Sequence, residues 1–244
     1  MPGKFGSPSQ FLLVDGYNLQ GTGIKSVPYK IRALNEDTTG IGDAALARTP
    51  TGVVELTVSQ AGAFFDTTTN GGHAALKDVA TSVQATARVL SLGFAGNTVG
   101  ETFVGAEGAY TQAYEVLGVV RQLTKANAEY AISGRVDQGF ILKALAAITA
   151  NTNGTAIDNA ASSASGGAGH LQVTAYSGFT NIVVKVQHSP DNSVWADLIT
   201  FATVSSAPTA ERKTAAGTVD RYTRYTVTVT GSGSATFFVG FARH

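Results

Sequence analysis

The sequence predicts a mainly β protein, built as two consecutive antiparallel units joined by a short connecting stretch. Three observations lead there. Thr, Ser, Ala, Val and Gly dominate, and only 14% of residues are charged, a mixture that suits strands and turns better than charged amphipathic helices. Apolar residues alternate with a period of two in "YTVTVT", where Tyr225, Val227 and Val229 share a face, and again where Phe237, Val239 and Phe241 do. Short apolar runs are separated by Gly, Asn, Asp and Pro turn signals, most regularly after residue 170.

The elements follow in order. The first ten residues read as a flexible arm. "FLLVDGYNL" (11–19) is a short strand that stops at a Gly/Asn turn. Residues 20–52 are rich in Gly, Thr, Asn and Asp with weak periodicity. They read as a long arm, of a length that is usually functional or ordered by a partner. Pro28 and Tyr29 are candidates to anchor this arm on a neighbour. "VVELTVS" (53–59) is a strand that "AGAFFD" (61–66) continues past a bulge at Gly62. Thr69 or Asn70 caps a short helix carrying Ala74, Leu76 and Val79. Strands follow at 86–94, 113–120, 128–136 and 139–148, the last with a period that also fits a helix. The small-residue stretch 151–169 reads as a linker or exposed loop between a first unit (1–150) and a second (170–244). The second unit carries five strands, at 170–177, 181–189, 196–204, 220–230 and 235–243, with the pattern of a β-sandwich.

Charge and motifs exclude more than they assign. Lys plus Arg and Asp plus Glu are both 17, and the halves are nearly balanced, with 11 basic and 12 acidic residues up to 150 and 6 and 5 beyond. Neither half has the charge of a polyanion binder. A weakly charged surface favours association with other protein surfaces. The chain has no cysteine, which excludes disulfides, thiolate metal sites and a cysteine nucleophile. No apolar run is long enough to cross a bilayer and no secretory signal pattern opens the chain, so a cytoplasmic setting is expected. His73, His170, His188 and His244 form no compact ligand pattern and read as surface or turn residues. "GIGDAA" (40–45) lacks the strand that precedes a dinucleotide fingerprint, and "GTGIKS" (21–26) lacks the Gly before Lys of a phosphate loop. Asp66, Asp78, Asp191 and Asp197 are scattered carboxylates that read as solvated. Catalytic, cofactor-binding and metal residues are therefore expected to be absent, and no enzyme is expected.

"HSPDNSVWADL" (188–198) has the look of a site. A calcium loop beginning at Asp191 would need oxygen ligands at alternate positions, a sharp-turn Gly and a closing Glu. Trp195 stands at one of those positions, and neither the Gly nor the Glu follows. The stretch reads instead as a hairpin turn, with Pro190, Asp191 and Asn192 supplying the tight geometry and Trp195 covering one end of the core.

That hairpin carries a resemblance. His188, Ser189, Asp191, Ser193, Trp195, Asp197 and Leu198 are followed by Arg221, Tyr222 and Arg224 and then by 233–237 "GSATF". Over residues 170–244 this resembles the C-terminal portion of the major tail (tail tube) proteins of long-tailed bacteriophages and related virion proteins. Residues 1–150 are similar more loosely, in a "FLLVDGYN" opening, a Gly/Asp-rich arm, a strand ending in "FFD" and "HAALKD". The resemblance implies a tail-tube-type β-sandwich or barrel with one short helix, followed by a C-terminal immunoglobulin-like sandwich. It implies homo-hexameric rings, stacked head to tail, whose joined inner sheets surround a lumen. DNA would be passing cargo, which a strongly basic lining would hinder. The further partners it implies are tape measure, tail terminator and baseplate proteins, in a virion assembled in the host cytoplasm, with no membrane and no cofactor. The alternative is an accessory virion or cell-surface β-sandwich that binds glycans, with Trp195, Tyr222 or Tyr225 as stacking platforms.

Overall fold

Period-two alternation becomes strand along most of the chain. The computed structural model describes residues 10–19, 27–68, 71–77 and 87–244. The expected N-terminal arm, the cap residues Thr69 and Asn70, Asp78, Val79 and the 21–26 "GTGIKS" lie outside those residues. The elements are β1 (Phe11–Val14), β2 (Tyr17–Asn18), β3 (Tyr29–Asp37), β4 (Arg48–Phe64), α1 (Gly72–Leu76), β5 (Leu90–Gly93), β6 (Thr102–Leu117), β7 (Lys125–Ile148), β8 (Thr152–Asn153), β9 (Ile157–Asp158), β10 (Gly167–Ser189), β11 (Ala196–Thr200), β12 (Thr209–Ala215) and β13 (Tyr222–Arg243). The mainly β class stands, with one short helix among the described residues.

Thirteen strands join in a single sheet with the central path β11-β10-β13-β7-β6-β5-β1-β2. β7 is its pivot. Its first half pairs with β4 on one side and β6 on the other. Its last residues pair with β13, from Phe140↔Phe241 to Ile148↔Ala235. Two expected strands thus fuse into one of 24 residues, and "GFILKALAAI" is strand, not helix. β4 shifts register between Gln60 and Ala63, where the sequence placed its bulge.

The C-terminal strands are fewer and longer than expected. β10 and β13 pair along almost their whole length, with register shifts near residues 173–181. The "GFT" and "GSGS" segments are bends inside these strands. Gly178 and Gly231 adopt left-handed φ of 81° and 88°, which glycine tolerates and most residues do not. Polar "TAERKTA" (Thr209–Ala215), left in a connector by its composition, is an edge strand on β10.

Three apolar clusters form the core. One lies within the C-terminal strands, around Val184, Phe201, Phe237 and Val239. A second lies within the N-terminal strands, around Leu12, Leu56, Leu92 and Tyr130. The third joins them: Phe11, Leu13, Phe103, Ile141, Phe238 and Ala242. β1 and the end of β13 are therefore buried on both faces. Leu12 and Val14 face one cluster and Phe11 and Leu13 another. Each fully buried ring or branched side chain contributes about 1.5–3 kcal/mol.

Residues 151–169 include β8 and β9, both paired with β13. Asp158 accepts both arms of the Arg221 guanidinium at 2.7 and 2.6 Å. The back of β13 rests on residues from the first half, so the C-terminal strands are not a free-standing sandwich.

Candidate assembly surface

β3, β4, β7 and β6 lie side by side in that order, each antiparallel to the next. Cross-strand partners share a face, so the register places Tyr29, Leu56, Val58, Ala128 and Tyr130 on the core side. The other side carries Lys30, Arg32, Glu55, Thr57, Ser59, Asn127, Glu129, Ala113 and Glu115. Arg32 donates to Glu55 at 3.0 and 2.5 Å, and Asn127 donates to Glu115 at 3.1 Å. The outer face is thus polar, with Glu55, Glu115 and Glu129 against Lys30, Arg32 and Lys125.

Both margins of this four-stranded array are open among the described residues. β3 pairs only with β4. β6 meets β5 only at Gly105 and Val104, with one isolated bridge from Ala109 to Arg88. Among the described residues, 112–117 of β6 have no ladder partner on that margin. Exposed hydrogen-bonding edges of this length are liabilities in a lone molecule.

The strands also project beyond the core at both ends. β4 leaves β7 before Thr57, while β3 and β4 stay paired out to Asp37↔Arg48. The predicted loop at 20–52 is therefore, in its described part, a long β-ribbon. Its pattern is exposed on both faces, with Leu34 the exception in β3. The turn at 38–47 is held by its own bonds, Gly40 N–H to Asp43 Oδ2 at 2.7 Å and Ala47 N–H to Thr39 Oγ1 at 3.0 Å. Ile41 is fully exposed and Leu46 is 63% exposed. At the opposite end the β6–β7 turn exposes Val119, Val120 and Leu123. Tyr29 does not reach out: its ring stacks on Phe94 at 4.7 Å. The Pro28 carbonyl accepts from Ser59 N–H within the chain.

Where the ribbon leaves β7, a groove of about 910 Å³ opens. Ile31, Val53, Ile132 and Val136 supply apolar walls, and Arg243 and His244 a basic end. Beneath that end lies a polar cluster the sequence did not reveal. Asp137 is completely buried and accepts from His170 Nε2 at 2.8 Å and from Arg212 Nε at 2.7 Å, with His244 Nε2 at 3.1 Å. Burial alone would raise its pKa, but the hydrogen bonds from His170 and Arg212 hold the carboxyl well below the usual range. Burial pushes His170 down, against the pull of Asp137. Its Nε2–H then donates to the carboxylate, and its Nδ1 is buried without a partner. The expectation of a surface histidine fails here, because "GHLQV" gives no sign that Asp137 stands across the sheet.

Elsewhere the expected residues separate. The 188–198 stretch is a turn: Asp191 accepts from Ser189 Oγ, Ser193 N–H, Ser193 Oγ and Val194 N–H at 2.7–3.0 Å, and Asn192 takes φ 62°. These bonds hold the Asp191 carboxyl well below its ordinary value. Trp195 does not cap the core. Arg224 lies over its ring at 4.0 Å and donates to Gln187 Oε1. Tyr225 is buried against Phe237, so it offers no stacking platform. Tyr222 has Arg221 over its ring. His188 Nδ1 faces Asp220 N–H, and His73 Nδ1 meets the Tyr114 hydroxyl at 2.8 Å. Asp197 pairs with Lys185, and Asp66 accepts from Thr68 N–H.

No protein-family model and no curated protein matches the chain. Several solved structures are similar to it, among them two. One is the tail of an empty GTA particle refined with C6 symmetry, at 11% identity and a TM-score of 0.39, covering 55% of this chain and 97% of that one. The other is the SPP1 Dit protein, described as a hub of the adsorption apparatus in phages infecting Gram-positive bacteria. It is 10% identical, with a TM-score of 0.32, covering 96% of this chain and 99% of that one.

Proposed function

We propose that this chain is a self-assembling structural protein of a phage tail, with no catalytic role, whose copies join edge to edge into rings around a channel. The observation that carries the reading is the β3-β4-β7-β6 array, open at both margins among the described residues. Its strands alternate in direction and are four in number, so β3 and β6 run opposite ways. Copies related by rotation about an axis along the strands would bring β6 of one beside β3 of the next in antiparallel register, which a sheet extends without strain. Such a contact is heterologous and closes into a ring; stacking the rings extends them into a tube. The absence of a basic excess among the charges on this polar face suits a channel that lets DNA pass and does not hold it. The resemblance of residues 170–244 to tail tube proteins supports the same reading.

Electron microscopy of the purified chain across concentration and salt tests it. Rings or tubes with a central channel are the expected result. A monomer at every concentration, or open aggregates without a channel, would overturn it.

A further inference from the structure

The groove at the root of the ribbon is a split in the sheet. β4 and β7 pair from Phe64↔Lys125 to Thr57↔Ala131 and then part. β7 next meets a partner on that margin at Phe140, which pairs with Phe241 of β13. Among the described residues, 132–138 of β7 are laddered to β6 alone and 48–56 of β4 to β3 alone. Two strand edges therefore border the groove with backbone N–H and C=O groups that no ladder uses. The stretch of β7 is about 23 Å long at about 3.3 Å per residue, room for a full strand. It is also held in place. The buried Asp137 carboxylate accepts from His170 and Arg212, so this edge is set before anything binds.

Side chains narrow the occupant. Ile31, Val53, Ile132 and Val136 line the groove, and Ile31 and Val53 are exposed. Arg243 and His244 stand at the end where β13 stops. Arg243 donates to neutral oxygens, Ser163 Oγ at 3.1 Å and the Asn159 carbonyl at 3.4 Å. The groove's carboxylate, Glu55, is paired with Arg32. An extended polypeptide supplies donors and acceptors at the spacing of a ladder, apolar side chains at alternate positions for the walls, and an acid for the basic end.

We infer that residues 132–138 of β7 are a strand-addition site for an extended segment of a different protein. The segment pairs antiparallel with β7 where β13 leaves off. Its acidic N-terminal end lies beside Arg243 and His244, and its alternate apolar residues lie against the walls. The site is complete within one copy, so it goes beyond the ring reading and does not need it. In a ring the outer margins β3 and β6 meet each other, which leaves a copy no open edge to add here and points to another chain.

Binding of a synthetic peptide to the full chain, kept below the concentration at which it assembles, tests this. The peptide is EEVTVTV, acetylated at its N-terminus and labelled with a fluorophore at its C-terminus. Saturable binding that slows amide hydrogen exchange within 132–138 is the expected result. KKVTVTV should bind at least about tenfold more weakly, and so should the acidic peptide N-methylated along its backbone, which lacks the ladder donors. Arg243→Glu should reverse the order of the two charged peptides, a result that a misfolded variant would not give. No saturable binding of the acidic peptide would overturn the site, as would an N-methylated peptide that binds as tightly as its parent. Assembled rings that shut the peptide out would give the groove to a second copy and overturn the choice of a different protein. Ring formation is scored separately by microscopy, so either reading can fail alone.

Discussion

The C-terminal pair β10–β13 and the ribbon β3–β4 have the same backbone chemistry and opposite fates. Each is a long antiparallel pair with a nearly continuous ladder. β10 opens with seven consecutive buried residues, whereas β3 exposes all but one of its nine. Hydrogen bonding therefore does not separate them, because each strand trades water for its partner at little net gain. What differs is the apolar area taken from water. The first pair is held by the apolar area it buries, and the second buries little of its own.

Substitutions can break this contrast. Phe237→Ala and Phe238→Ala should each destabilise the monomer by about 3–5 kcal/mol, since both rings are fully buried; denaturant midpoints measure this. Leu46→Ser on the ribbon should leave that midpoint within about 0.5 kcal/mol of the parent. If the ribbon substitution unfolded the monomer, the contrast would be lost. Asp137→Asn comes close behind the core rings, at about 3–5 kcal/mol, because it strips the charge partner from buried His170 and Arg212. Gly240→Ala should cost about 1–3 kcal/mol, because a Cβ there would lie 2.6 Å from the Phe103 ring. Removing the exposed Arg221–Asp158 pair by Arg221→Ala should move the midpoint least of all.

Acid sharpens the comparison. His170 has its pKa lowered by folding, so the unfolded chain binds more protons below about the ordinary 6.5 and stability falls as pH drops through that value. Asp137 is also lowered, so its contribution is complete above the ordinary 3.8 and is lost as pH falls further. Both act in the same direction and in the body, not the ribbon. Thermal melts from pH 7 to pH 4 should show a decline that His170→Gln flattens. An unchanged slope in that variant would remove His170 from the account.

The sequence was legible where one face is buried and the other wet. Val227, Val229 and Tyr225 alternate as read, and Phe237, Val239 and Phe241 face one cluster as read. It was illegible where a strand is buried twice. "FFVGFA" looks like one face and a filler, yet Phe238 and Ala242 pack on Phe11 and Phe103. That second face is what turns two expected units into one sheet. Polar strands also hid. β12 is an edge strand and β3 of the ribbon is exposed at all but Leu34, so neither needs the apolar period that marks a strand. The groove and the Asp137 cluster draw on residues from 31 to 244, and no local spacing connects them.

The packing of Phe11 against Phe238, with tilted rings whose centroids lie 5.3 Å apart, also bears on how the chain is made. A strand near the start is covered by one that leaves the ribosome more than 200 residues later. Until then Phe11 and Leu13 wait without their final neighbours. Long-range closure of this kind folds slowly and leaves apolar surface open to aggregation meanwhile. The body should therefore lock only after synthesis of β13, in one late step.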